Sequence, residues 1–298
     1  MVSSPVVYPG GKASIARWIC EDMPQHKIWV DLCGGGASVT LYKPESEVEI
    51  YNDPGMVALF FAVLRTSDAG PVLLEKLRLT PMSEDEFQYC RVRWMYEENV
   101  IEQLRMWYVQ ILQCFTHEER GTGWIGMGKE VSQGRGYRNH IDQIPDFIER
   151  FRAVQITNRH AKEIVKAYDS VNTLFYFDPP YRDEKGGDVD VGYENKMTLK
   201  EHENMLDLLC TCKGQVMISG YNNPLYEQRI GHWEKKTLVR KGMIKNNAQD
   251  AMGIITDREE CLWTRRNSNI DFFKTKVPAK KVRYYDEDNL TLWDQDWS

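Results

Sequence analysis

Short apolar runs that end on glycine, proline or aspartate alternate along the chain with longer stretches of helical period. Residues 27–32 predict a strand carrying Ile28, Trp29 and Val30, which runs into Cys33-Gly34-Gly35-Gly36-Ala37-Ser38 and then into a segment able to start a helix. A second strand over 48–51 stops at Asn52-Asp53-Pro54, and a helix follows over 56–64. Residues 70–118 read as largely helical, with Ile101, Leu104, Tyr108, Ile111, Leu112 and Phe115 spaced for one buried face and no strand evident. Beyond a glycine-rich stretch at 121–140 the pattern predicts a helix over 144–151, a strand over 153–157 and a helix over 161–168. Strands then follow over 174–177, 215–219, 233–239 and 260–264. The pattern describes one open α/β sheet split by an insertion near residues 67–150.

Composition narrows the class. At 298 residues and 42% hydrophobic content the chain can hold one large domain or one domain with a sizeable insertion. No apolar run is long enough to span a membrane and the first residues do not resemble a signal peptide, so a soluble, cytoplasmic protein is expected. The seven cysteines are odd in number and show no paired CxxC spacing, which favours reduced thiols over disulfides and predicts no metal site. Lys and Arg number 38 against 44 acidic residues, a net charge of -6, so contact with nucleic acid would need a local basic surface. The 121–140 stretch, with Lys129, Arg135, Arg138 and His140 among its glycines, is the candidate. Residues 286–296 carry five acidic groups and no basic ones and read as a solvated terminus.

The run at 173–181 ends abruptly in Asp178-Pro179-Pro180-Tyr181. Two prolines supply no N–H, so the turn offers carbonyl oxygens without competing donors. Asp178 adds an acceptor and Tyr181 a flat face, a combination suited to chemistry on a planar amine. A plain strand followed by a proline turn is the competing reading. Gly34, Gly35 and Gly36 after a strand allow backbone to approach a ligand closely, or simply make a tight turn. Asp53, 17 residues beyond Gly36 at the end of the next strand, either reaches a ribose hydroxyl pair or caps the following helix. Tyr8-Pro9-Gly10-Gly11-Lys12 is either a further close-approach turn or a surface turn with a solvated lysine.

Taken in order, these elements resemble the D12 class of N6-adenine-specific DNA methyltransferases, the Dam-like family. Tyr8 to Lys12 are similar to its N-terminal P-G-G-K element, and Asp31 with Gly34, Gly35 and Gly36 to its cofactor loop. Asp53 matches its ribose-binding acid, and Asp178, Pro179, Pro180 and Tyr181 its catalytic tetrapeptide. Tyr193, Met197-Thr198, His202, the 216–221 segment, Pro224-Leu225-Tyr226 and Glu260-Cys261-Leu262-Trp263 extend the likeness over roughly residues 5–265. An insertion between cofactor loop and catalytic motif is the arrangement of the family's alpha group.

The resemblance implies a Rossmann-like α/β fold with a seven-stranded, mostly parallel sheet. It assigns residues 1–66 and 151–266 to catalysis, 67–150 to a mainly helical target-recognition insertion and 267–298 to a C-terminal extension. It implies S-adenosyl-L-methionine as cofactor, held by Tyr8, Lys12, Asp31, Gly34, Gly35, Gly36, Asp53 and Asp178, with Lys12 facing the methionine carboxylate. It implies double-stranded DNA as partner, with the adenine flipped out, its amine bonded to Asp178 and the carbonyl of Pro179, and its ring stacked on Tyr181. Lys129, Arg135, Tyr137 and Arg138 are candidates for phosphate or base contact, against a reading as solvated loop residues. His160 stands where the family usually has an acid, and the insertion lacks Dam's asparagine-rich recognition sequence, so GATC specificity does not carry over. Methylation of cytosine N4, or a non-catalytic DNA-binding relative, are the alternative readings.

Overall fold

A computed structural model describes residues 2–126, 132–182, 187, 197–244, 254–267, 282–285 and 292–295. Its first half contains α1 (Ala16–Cys20), β1 (Ile28–Asp31), α2 (Ser38–Tyr42), β2 (Val48–Asn52) and α3 (Met56–Leu64). A helical stretch follows, with α4 (Ala69–Leu79), α5 (Glu84–Arg93), α6 (Val100–Gln113) and α7 (Gln133–Asp142). The alternation resumes with α8 (Ile144–Phe151), β3 (Val154–Thr157), α9 (Ala161–Tyr168) and β4 (Thr173–Phe177). It ends with α10 (Leu199–Thr211), β5 (Gln215–Tyr221), α11 (Pro224–Ile230), β6 (Glu234–Ile244) and β7 (Ile254–Arg265). A separate antiparallel pair joins β8 (Val282–Tyr285) to β9 (Leu292–Gln295), in the tail expected to be a plain solvated terminus.

The seven strands form one sheet in the order β3-β2-β1-β4-β5-β7-β6. The first five are parallel, whereas β7 runs antiparallel to both β5 and β6. The sheet is therefore mixed rather than mostly parallel. The difference arises because β7 lies between β5 and β6 and runs antiparallel to both; its pairing with β6, from Glu234↔Thr264 to Ile244↔Ile254, is also much longer than the apolar runs at 233–239 and 260–264 predict. Hairpin pairing satisfies backbone groups whatever the polarity of the side chains, so the Lys- and Arg-bearing half of β6 carries no apolar signal.

Alternation within the central strands builds the two faces. Val30, Ile50, Phe175 and Phe177 pack with α9, α10 and α11, while Trp29, Leu174 and Tyr176 pack with α1 and α2 on the opposite side. A third apolar cluster joins Tyr51 and α3 to α6, α7 and α8, with Phe61, Phe147 and Phe151 in mutual ring contact. α10 opens with a capping box in which the Thr198 side chain accepts from Glu201 N while the Glu201 carboxylate accepts from Thr198 N. His202 on that helix is buried and its Nδ1 lies 3.3 Å from the Tyr226 hydroxyl, so these two residues tie α10 to α11.

Two helical expectations change. α6 stops at Gln113 because Cys114 turns extended and bridges Trp124, which leaves Phe115 outside the helix and 55% exposed instead of on its buried face. Residues 133–142 form α7 despite Gly134 and Gly136, capped by Ser132, whose hydroxyl accepts from Arg135 N. No single helix among the described residues is long and apolar enough to cross a membrane.

Candidate active site

Chain order places the site. β1, β2 and β3 succeed one another outward in one direction, and β4 returns to the other side of β1, so the sheet changes winding direction between β1 and β4. Loops leaving the C-terminal ends of parallel strands diverge at such a point and leave a crevice. A cleft of about 960 Å³, its open mouth included, lies there, and its lining includes Asp31, Gly35, Asp53 and Asp178.

The glycine loop after β1 is fixed by contacts no larger residue would allow. A Cβ on Gly34 would stand 2.2 Å from the Tyr51 ring, and one on Gly35, whose φ is +46°, would stand 2.8 Å from the ring of Tyr8. The Tyr51 hydroxyl donates to Gly35 O at 2.6 Å. Asp53, at the end of β2, accepts from Gly35 N at 2.9 Å through Oδ2 and from Gly55 N at 2.7 Å through Oδ1. Burial pushes its carboxyl above the usual range, against the pull of those two amides. Each oxygen retains a further lone pair, and Asp53 lines the cleft. The tight-turn reading and the close-approach reading thus describe the same glycine loop, which Asp53 fastens while lining the cleft; the helix after Pro54 receives no side-chain cap hydrogen bond, so Asp53 does not cap it.

Asp31 forms the floor. It is 1% exposed; Oδ2 accepts from Thr40 Oγ1 at 2.7 Å, while Oδ1 has no hydrogen-bond partner. Burial, reinforced by the charges of Asp178 and Asp53, pushes its carboxyl up to about 7. A cationic ligand in the cleft would stabilise its ionised form.

Asp178 follows β4 directly. Its Oδ1 accepts from Ser219 Oγ on β5 at 2.7 Å, and the Ser219 hydroxyl lies 2.9 Å from that of Tyr176. Its Oδ2 pairs with Lys12 Nζ at 2.9 Å. Lys12, 6% exposed, also donates to Gly10 O at 2.7 Å and stands 4.6 Å from the centroid of the Tyr181 ring. Tyr181 is anchored by its hydroxyl, which donates to Glu260 Oε1, and by an edge contact with Tyr221 at 4.8 Å between centroids. Pro180 lines the cleft and Pro179 is buried behind it. The Lys12 ammonium bonded to Asp178 thus stands over the Tyr181 face, and Tyr181 itself is not part of the cleft lining.

Tyr8, Lys12, Asp31, Gly34, Gly35, Gly36, Asp53 and Asp178 all line this one cleft. The DNA-contact candidates fare differently. Arg135 and Arg138 are exposed on α7, with Arg138 Nε 3.8 Å from Asp142. Tyr137 on the same helix is 7% exposed and packs in the apolar cluster, so it is corrected to a core residue. Lys129 and Tyr193 lie outside the described residues. His160 stands away from the cleft lining and caps α9, its Nδ1 accepting from Lys162 N at 3.2 Å. Sequence reasoning missed Ser219, Glu260, and the cleft-lining Ile111, His117 and Glu119 on and after α6. Ser219 and Glu260 lie within stretches that carry the family resemblance; nothing in the sequence points to the other three.

An acidic cleft at the switch point, closed on one side by acceptors aimed at a nitrogen donor, suits an enzyme that transfers a group from a nucleotide-like cofactor to an amine. The family model of the D12 class N6 adenine-specific DNA methyltransferases matches residues 8–252, and the chain belongs to that family. No curated protein matches the sequence. The activity is adenine-specific methylation of DNA, and the family generally uses S-adenosylmethionine.

Proposed function

We propose that the cleft binds S-adenosyl-L-methionine and presents an adenine, flipped out of double-stranded DNA, to Asp178. The observation that carries this reading is the convergence of Asp53, the glycine loop, Lys12 and Asp178 on one cleft. The donor set suits the cofactor. Asp53 keeps acceptor capacity for a ribose diol, Lys12 offers a cation for a carboxylate, and Asp31 keeps an unpartnered Oδ1 that would favour a ligand of net positive charge. Bound there, the cofactor supplies a methyl group activated on a sulfonium.

The rest falls to the chain. An exocyclic adenine nitrogen is a poor nucleophile because its lone pair is delocalised into the ring. The Asp178 carboxylate and the Pro179 carbonyl accept its two hydrogens, which favours a pyramidal nitrogen with a localised lone pair. Ser219 keeps Oδ1 aimed, and Tyr181, fixed by Glu260 and Tyr221, supplies the stacking face. Residues 67–150 form the target-recognition insertion, with Arg135 and Arg138 on exposed positions for phosphate contact.

Purified Asp178→Asn enzyme is expected to bind the cofactor and yet form no N6-methyladenine in DNA, measured by mass spectrometry of digested product. Undiminished methylation by this variant removes Asp178 from the mechanism.

A further inference from the structure

The insertion does more than flank the cleft, because Ile111, His117 and Glu119 form part of its wall. The loop that carries His117 and Glu119 is held from several directions. Phe115 N donates to Gly123 O at 2.7 Å, Ile125 N donates to Gln113 O at 3.0 Å, and Gln110 Nε2 donates to both Glu118 O and Gly121 O at 2.9 Å. His117 adopts a left-handed backbone, φ +56°, with its Nδ1 2.9 Å from Ile111 O. Such a conformation persists in a non-glycine residue only where its surroundings over-determine it. Glu119 is positioned by a buried indole, since Trp107 Nε1 donates to its Oε1 at 2.7 Å.

The side of the cleft follows from the neighbouring bonds. Tyr108, one turn before Ile111, donates its hydroxyl to Pro5 O at 2.8 Å, so the end of α6 is tied to the segment that leads into Tyr8 and Lys12. The insertion's wall thus adjoins the stretch that carries the cleft's lysine. An amino acid bears a carboxylate and an ammonium on one carbon, and a site offering Lys12 to the first needs an anion beside it for the second. Four carboxylates line the cleft: Asp31, Asp53, Glu119 and Asp178. Asp53 is committed to the glycine loop and Asp178 to Ser219 and Lys12, while Asp31 lies at the floor beneath Thr40. Glu119 is the acid on the wall, half-buried where a hydrated ligand end fits.

We propose that Glu119, carried into the cleft by the insertion, binds the α-ammonium of the cofactor's amino-acid end. This rests on the cofactor reading above. The recognition insertion then contributes a cofactor ligand as well as a DNA-facing surface.

The test compares S-adenosylhomocysteine with its analogue lacking the α-amino group, by calorimetry at pH 8 on wild-type and Glu119→Gln proteins and on Glu118→Gln, which removes the neighbouring charge from outside the cleft lining. Glutamine keeps the acceptor for Trp107, and the thermal midpoint verifies that the loop holds. The wild-type protein should prefer the amine-bearing ligand about tenfold, the effect of one charge-assisted hydrogen bond. Glu119→Gln should reduce that preference to less than about twofold, and Glu118→Gln should leave it in place. An unchanged preference in Glu119→Gln overturns the proposal while sparing the cofactor reading. Equal loss in both variants overturns it too, because a general field effect would then account for the preference. Failure of the wild-type protein to bind either ligand brings down the cofactor reading itself.

Discussion

Ser219→Ala isolates what positions the acceptor. Ser219 is fully buried; its hydroxyl donates to Asp178 Oδ1 at 2.7 Å and lies 2.9 Å from the Tyr176 hydroxyl, so one oxygen links β4, β5 and the carboxylate. Alanine removes that oxygen and leaves Asp178 with Lys12 as its remaining partner among the bonds described above. A hydrogen bond to a charged acceptor contributes about 1.5–3 kcal/mol. If that interaction is needed to aim Oδ1 at the amine in the transition state, kcat falls about 10- to 100-fold, at about 1.4 kcal/mol per decade. Ser219 lies outside the cleft lining, so the cofactor's KM should change by less than about twofold. The assay is steady-state transfer of a labelled methyl group to DNA, run beside Ser219→Thr, which retains the hydroxyl and should recover most of the rate. A Ser219→Ala enzyme with wild-type kcat refutes the argument, and so does a large KM change at unaltered kcat.

Two further outcomes follow from the cleft's construction. The Asp31 carboxyl is pushed up to about 7, so between about pH 4 and about pH 7 the native state holds a proton that the unfolded chain releases, and stability falls as pH rises through that window. Asp31→Asn should therefore melt higher than wild type at pH 8, with the gap shrinking by pH 5; a pH-independent gap in thermal scans contradicts this. Gly34→Ala places a Cβ 2.2 Å from the Tyr51 ring, which is buried against Phe61 and Phe151 and cannot retreat. It should lower the thermal midpoint by at least about 3 °C, and an unchanged midpoint in calorimetry refutes the steric account.

The sheet was legible wherever both faces of a strand are apolar. Trp29-Val30, Phe175-Tyr176-Phe177 and Val216-Met217-Ile218 lie between helices on both sides, so their sequences show continuous hydrophobicity and their limits were read closely. The β6–β7 hairpin was read too short because it gains its outer half from backbone pairing among residues such as Lys241 and Asp257. α7 was hidden by its glycines, which carry no helical preference of their own; its stability comes from Tyr137 and Ile141 packing inward. In the cleft, chemistry-bearing residues next to strand ends could be read from order alone. Glu119 could not, because its place depends on the path of a loop bonded through Gln110 and Trp107, contacts that leave no periodic trace.

The Lys12–Asp178 pair governs how the catalytic aspartate must be tested. Lys12 is almost entirely buried and its ammonium is held by one carboxylate, one carbonyl and the face of Tyr181. Alanine at 178 would strip the carboxylate from that ammonium, and an uncompensated buried charge costs about 3–5 kcal/mol. Lost activity in such a variant would then mix chemistry with a collapsed cleft. Asparagine removes the charge too but keeps a hydrogen-bond acceptor on the ammonium. Its Oδ1 can accept from Lys12 while Nδ2 donates to Ser219 Oγ, whose own proton turns to the Tyr176 hydroxyl, so each neighbour keeps a partner. What asparagine cannot supply is a second acceptor for the amine, since the oxygen that remains is the one facing Lys12. Retained cofactor affinity with lost methylation therefore reports on acceptance at Asp178, and loss of both in Asp178→Asn would show instead that the carboxylate's charge holds the cleft together.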